Sequence, residues 1–282
     1  MIKTPLSKPI APPEDGGMLR FLYHNVLGRC LLRILISRPI SKLAGAFLSS
    51  RLSKGLIKKF VSNNNIDLEE FYSDNFGCFN DCFCRKIKEG NRPFEEGLVA
   101  PCDGLLSVYP IKDGLVLPIK QSRYSIADLL QDNDLAKEFD GGTVLVFRLC
   151  VNHYHRYSYF DDGVKGDNKF IKGRLHTVRP IALRKYPVFA QNCREMTVMD
   201  TVNFGKAVQI EVGAMLVGKI ANLHGCGPIK RGEEKGMFLY GGSTIVLLLE
   251  KDKVSFPQEL FEITQQNCEI PVKMGQKLAQ AK

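Results

Sequence analysis

The chain has 282 residues, 44% of them hydrophobic and 24% charged, with a formal net charge of +9. That length and balance suit one large domain or two modest ones around a proper core, and they exclude a disordered or low-complexity chain. The nine cysteines are irregularly spaced and odd in number, which argues for free thiols in a reducing compartment and against a disulfide framework.

Residues 1–17 are polar and rich in Pro and Gly; they read as a lead-in without the apolar centre of a secretory leader. Residues 18–60 are apolar and basic. They hold Arg20, Arg29, Arg33, Arg38, Lys42, Arg51, Lys54, Lys58 and Lys59 and no Asp or Glu, so the positive excess of the whole chain sits here. Arg interrupts every apolar block, and a spanning helix needs ~20 mostly apolar residues, so no membrane span is expected. From Arg51 to Phe60 helical spacing sets Arg51, Lys54 and Lys58 on one side and Leu52, Leu56, Ile57 and Phe60 on the other. That pattern suits a helix lying in a membrane interface, and equally one packed on its own protein with a solvated basic face. The missing acids favour an anionic phospholipid surface, with Arg29, Arg33, Arg51, Lys54 and Lys58 as the contacts and peripheral attachment to the cytoplasmic face of the cell membrane. Nucleic acid is not expected, because no binding module accompanies the charge.

"NIDLEEFY" (65–72) predicts a helix start, with Asp67 as N-cap and Glu70 three residues on. Cys78, Cys82 and Cys84 lie close together, but no second ligand pair stands at a zinc-site offset, and no metal is expected. Beyond residue 95 short β-rich runs dominate, among them "GLLSVYPI", "GTVLVFRLC", "AVQIEVGAMLVGKI" and "STIVLLLE". "SIADLLQDNDLAKEF" (125–139) is the one helical interruption. The fold class that follows is α+β: an N-terminal helical, basic region (1–64), then a mainly antiparallel β core (65–282) with barrel-sandwich character in "EVGAMLVGKI".

Few residues here carry chemistry. "GGST" (241–244) reads on its own as a glycine turn feeding a strand, and Asp103 in "APCDG" as a turn aspartate. The stretch His153–Tyr159 holds two histidines, one arginine and three tyrosines in a chain with five histidines. His176 lies in a strand-like segment. A lone histidine is more often structural than catalytic, and clustering raises the weight of a catalytic role.

Taken in order, "FNDCFCRK…RPF", "APCDG", "YHRY…DDG", "NCRE", "VGAMLVGKI", "KGMFLYGGST" and "VKMGQKLA" resemble the phosphatidylserine decarboxylases from about residue 65 to the end. The resemblance implies a precursor that cuts itself at Gly242–Ser243. Ser243 attacks the preceding carbonyl, and elimination and hydrolysis leave a pyruvoyl group at position 243. That covalent cofactor would condense with the amine of phosphatidylserine and take up the electrons released with CO₂, giving phosphatidylethanolamine. The mature enzyme would be a pair of chains, 1–242 and 243–282. By the same resemblance Asp103 is the acid, His155 the base, and His176 the second candidate for base; His153 stands where the family often has an acidic residue. Many members carry a second histidine where this chain has Ser158. Other readings stay open: a pyruvoyl enzyme for another serine-bearing lipid, a self-cleaving relative without decarboxylase activity, or a non-catalytic membrane-binding module.

Overall fold

The computed structural model describes residues 7–11, 16–112, 117–119, 122–215, 219–241 and 243–282; Gly242 lies outside them. The basic segment folds into α1 (Gly17–His24), α2 (Val26–Leu35), α3 (Arg38–Leu48), a 3-10 turn at Arg51–Leu56, and α4 (Ile57–Asn63). Asn25 separates α1 from α2. Its side chain accepts from the amides of Leu27 (2.9 Å) and Gly28 (3.4 Å) and so caps α2. Gly28 lets the helices meet: a Cβ there would stand 2.0 Å from the Phe21 carbonyl oxygen. Pro39 opens the first turn of α3, where its missing N–H costs nothing.

One side of these helices joins the main core through Leu22, Tyr23, Leu32 and Ile36. Their other side leaves Met18 (78%), Leu27 (74%) and Leu43 (69%) open to solvent, an apolar exposure that no packing among the described residues relieves. The expected stripe between Arg51 and Phe60 is split. Ile57 and Phe60 pack on Phe79 and Phe83, whereas the tighter 3-10 turn directs Leu52 and Leu56 outward. No helix among the described residues is long and apolar enough to cross a membrane.

A one-turn helix, α5 (Phe79–Phe83), leads into the β portion. Its strands are β1 (Leu98–Val99), β2 (Gly104–Pro110), β3 (Leu117–Ile119), β4 (Ser122–Tyr124), β5 (Thr143–Leu149), β6 (Arg156–Ser158), β7 (Gly163–Lys165), β8 (Lys169–Ile171) and β9 (Arg194–Thr201). Then come β10 (Gly205–Gly213), β11 (Lys219–Asn222), β12 (Gly227–Ile229), β13 (Glu234–Leu239), β14 (Ser243–Leu249), β15 (Val254–Ser255), β16 (Ile270–Val272) and β17 (Lys277–Ala281). The main sheet runs β12-β7-β9-β10-β14-β5-β2-β16, with β8 also paired to β9. Every pair in it is antiparallel. β11-β13-β6 and β1-β17-β15 form two smaller sheets. The α+β, mainly antiparallel class is therefore observed, and none of the described sheets closes into a barrel.

β14 is central, hydrogen-bonded on both edges, and all seven of its residues are buried. Covered on both faces, it reads as a continuous apolar run after its first two residues and not as an alternation. Three local expectations are corrected. Residues 125–139 are not the one helical interruption of the β portion, since Pro180–Leu183, Val188–Gln191 and Gln258–Gln265 are helical as well. Residues 125–139 form two short helices, Ile126–Leu130 and Asn133–Glu138, because Gln131 turns left-handed (φ +50°) and Asp132 caps the second through the Leu135 amide. Residues 67–72 make a turn, not a helix: Asp67 accepts from the Glu69 amide (2.9 Å), and Phe71 then bridges to Ile87.

Candidate active site

Ser243 is the first residue of β14 and is fully buried. Its Cα stands opposite Gly213 of β10 and Leu149 of β5. Gly241, two residues before it, has φ +132°, backbone that side chains resist. Neither Ser243 Oγ nor Thr244 Oγ1 has a hydrogen-bond partner among the described residues. A buried hydroxyl left unpaired costs about 1–3 kcal/mol, so two in succession at a glycine turn call for a reason.

His155 is also fully buried. Its Nδ1 lies 2.9 Å from the main-chain oxygen of His153. A carbonyl only accepts, so Nδ1 carries the proton, and in the neutral ring Nε2 holds a lone pair. That Nε2 is buried and has no partner among the described residues. Burial pushes the His155 imidazolium well below its ordinary range; His153 and the Arg85 guanidinium push the same way, and the carbonyl contact opposes them. At neutral pH the ring is thus neutral and able to accept a proton.

Local packing seats His155 beside Phe238, near the end of β13, the strand that precedes β14. The Phe238 amide of β13 donates to the His155 carbonyl (2.9 Å). Phe83 of α5 lies on the imidazole (4.0 Å between centroids) and also touches Tyr240 (5.3 Å). The α5 segment holds the chain just ahead of the glycines. Asn80 Oδ1 accepts from the Tyr240 amide (3.2 Å), and the Cys84 thiol donates to the Phe238 carbonyl (3.2 Å). Burial raises the Cys84 pKa to about 12, so this thiol stays protonated. Cys78, Cys82 and Cys84 are all free and buried, and no group of three or more metal-ligating side chains occurs among the described residues.

Asp103 makes no hydrogen bond to His155. Its carboxylate accepts from Arg92 (2.9 Å) and from the Met274 amide (2.9 Å), and Arg92 also binds Glu70 (2.5 Å). His153 Nδ1 accepts from the Cys150 amide (3.1 Å), and burial lowers its pKa while Asp103 works against that. Ser158 is buried, with its amide on the Pro101 carbonyl and its hydroxyl on Met274 Sδ (3.4 Å). His176 lies elsewhere. It stacks on Tyr186 (4.7 Å) beside Tyr23, in a cavity of about 500 Å³ bordered by Arg29, Arg33 and Arg174. Burial, helped by Arg174, lowers its pKa to about 4. Arg29, Arg33, Arg51, Lys54 and Lys58 form no ion pair among the described residues, and none of the five is buried.

Three further residues matter that sequence reasoning passed over. Arg85, 2% exposed, donates to the Asn152 and His153 carbonyls and rests on the Phe71 ring (4.5 Å); it thus holds the turn that orients His155. Asn192 Nδ2 donates to the Gly213 carbonyl (2.7 Å), pinning the strand end opposite Ser243. Asn80 is the third. All three lie inside motifs quoted above, "FNDCFCRK" and "NCRE", which is the only signal that pointed to them.

A buried, unpartnered serine hydroxyl and a buried imidazole lone pair are the parts of an activated nucleophile. The sequence profile of the phosphatidylserine decarboxylase family matches residues 79–280. The phosphatidylserine decarboxylase proenzyme 2 of Clostridium acetobutylicum is 44% identical over 269 residues, covering 94% of this chain and 92% of that protein. The phosphatidylserine decarboxylase proenzymes of Ruminiclostridium cellulolyticum (40% over 272 residues; 93% of this chain and 91% of that protein) and Clostridium kluyveri (39% over 269; 92% and 91%) are similar along the same span. This chain belongs to the phosphatidylserine decarboxylase family, a family of carboxy-lyases.

Proposed function

We propose that the chain is a precursor that cuts itself between Gly242 and Ser243 and then decarboxylates phosphatidylserine to phosphatidylethanolamine. The observation that carries this reading is a pair of buried atoms without hydrogen-bond partners among the described residues: Ser243 Oγ at the start of β14, and Nε2 of His155, whose carbonyl accepts from the Phe238 amide near the end of β13.

In the cut, His155 Nε2 takes the hydroxyl proton of Ser243, and Oγ adds to the carbonyl carbon of Gly242. The peptide C–N bond breaks, the amine regains a proton, and an ester links the two residues. Loss of the Ser243 Cα proton then expels the Gly242 carboxylate from Cβ. Water releases ammonia from the resulting enamine and leaves a ketone at position 243. Bound there, the pyruvoyl group supplies an electrophilic carbonyl that holds the substrate amine and accepts the electrons left by departing CO₂. In this reading His155 holds and returns the protons. Asp103, tied to Arg92, contributes negative charge near His153.

The self-cut yields chains 1–242 and 243–282. Their association rests on β14, whose Ile245, Val246, Leu247, Leu248 and Leu249 are buried, each worth about 1.5–3 kcal/mol. Residues 1–64 form a docking region for anionic phospholipid at the cytoplasmic face of the membrane, and residues 65–282 the catalytic unit. Exposed Met18, Leu27, Leu43 and Leu52 supply apolar contact, and the cations around them ~1 kcal/mol each near an anionic surface. Intact mass of the purified protein tests the reading. Two chains are expected, the smaller lacking a free amine; a single chain with an unaltered Ser243 refutes it. Ser158 favours one second reading, a relative that matures without decarboxylating, which absence of CO₂ release from the two-chain form would reveal.

A further inference from the structure

We infer that the cavity beside Gly213 is the phosphodiester subsite of the substrate, with Arg38, Lys42 and Lys219 as its anion-binding side chains. This rests on the phospholipid substrate proposed above and deepens it.

The cavity, about 500 Å³, lies between the main sheet and β11, and α3 borders it. Its wall includes Glu195 and Gly213 from the main sheet, Cys193 just ahead of β9, and Lys219 and Ile220 from β11. Register relates it to Ser243. Glu211 pairs with Glu195 on β9 and with Ile245 on β14, and Gly213 pairs with Ser243. Directly opposed residues share a sheet face, as do residues two apart. Glu195, Gly213 and Ser243 therefore lie on one face, and the cavity wall is one strand spacing, ~5 Å, from the serine. The arginine-lined cavity at α2 is bordered by none of these strand residues.

The charge is arranged for an anion. Arg38 and Lys42 are four apart on α3 and so lie on one side of it. The Arg38 guanidinium sits over the Phe170 ring (5.3 Å), which fixes its direction. Arg38, Lys42 and Lys219 have no ion-pair partner among the described residues. Glu195 is the wall's single acid, and Asn222 Nδ2 already donates to it (2.9 Å). A phosphate diester placed among three cations gains charge-assisted hydrogen bonds. In a serine phosphodiester one oxygen and two carbons join the phosphorus to the amine, so a phosphate held here brings the amine to the neighbouring strand end. On α3, Leu43 and Phe47 remain exposed beside the cations, offering apolar surface to the acyl side.

The test uses the self-processed protein and two soluble probes: glycerophosphoserine for binding by calorimetry, and monomeric dihexanoyl phosphatidylserine for kinetics, so that attraction to a bilayer plays no part. R38A/K42A and K219A are compared with wild type and with K137A/K251A, which removes equal charge from a distant surface. The cavity variants are expected to bind glycerophosphoserine at least tenfold more weakly and to raise KM for the short lipid at least tenfold. kcat and the extent of self-cleavage stay within threefold of wild type, R38K keeps part of the binding, and K137A/K251A is unchanged. Failure of wild type to bind the probe, or equal binding by wild type and the cavity variants, overturns the subsite. Binding that depends on Arg38 and Lys42 without any CO₂ release keeps the subsite and removes the proposed reaction. CO₂ release unaffected in KM by both cavity variants removes the subsite alone.

Discussion

The Nδ1 of His155 meets the main-chain oxygen of His153 at 2.9 Å, and this one contact fixes which ring nitrogen can take a proton. In a serine-hydrolase triad a carboxylate does that work. Here Asp103 is occupied by Arg92 and the Met274 amide, and a peptide carbonyl does the orienting. His155→Ala should slow self-cleavage at least a hundredfold, in the range of a lost general base. His176→Ala should change it less than threefold. Accumulation of chain 1–242 on a denaturing gel after synthesis measures both, and equal rates in the two variants would exclude His155 as the base.

Ser243→Ala should give one intact chain of 282 residues and no CO₂ release. Ser243→Cys keeps a nucleophile and should cleave slowly. Mass spectrometry decides, and any processing of the alanine variant at that bond sinks the scheme.

Asn80→Ala should remove the support of the Tyr240 amide together with the Ser49 contact (2.8 Å). The expected cost is about 1–3 kcal/mol in urea unfolding, with slower self-cleavage. Normal cleavage in a destabilised variant would show that Asn80 stabilises the fold without positioning the turn.

Lys235 and Glu211 form an ion pair with both side chains fully buried, 2.9 Å apart, and Gln209 and Asn222 complete the network. Lys235→Met strands a buried carboxylate and should cost about 3–5 kcal/mol. Adding Glu211→Gln should recover much of that loss. Additive losses in the double variant would contradict coupling between the two side chains.

His176 gives a pH signature. Its folded pKa is about 4 against an ordinary 6.5, so the unfolded chain binds the extra proton between those values. Stability is therefore complete above pH ~6.5 and declines as pH falls toward about 4, by up to roughly 3 kcal/mol. His153 and His155, also lowered by burial, act in the same direction. Urea midpoints at pH 7.5 and 5 should differ, and His176→Phe should shrink the difference; a midpoint independent of pH in wild type would disprove it.

Much of this was legible in the sequence because it is local. The glycine turn, the apolar strand after it and the basic helices each declare themselves within a few residues. Long-range partners do not. Nothing near Asp103 names Arg92, and nothing in "YHRY" says that a main-chain oxygen orients the ring. The break at Gln131 was hidden too, since glutamine seldom adopts the left-handed conformation and gives no warning of it. Asn80 looked like one letter of a motif until the Tyr240 amide appeared opposite it.

The central place of β14, hydrogen-bonded to β5 on one edge and β10 on the other, has a consequence for how such a molecule ages. An unbroken precursor that unfolds can refold by itself. Under the proposed cut ahead of this strand, the protein would recover only when two separate pieces meet again, the longer one with a gap in the middle of its sheet. Heat or denaturant should then inactivate it for good at dilutions where the precursor returns.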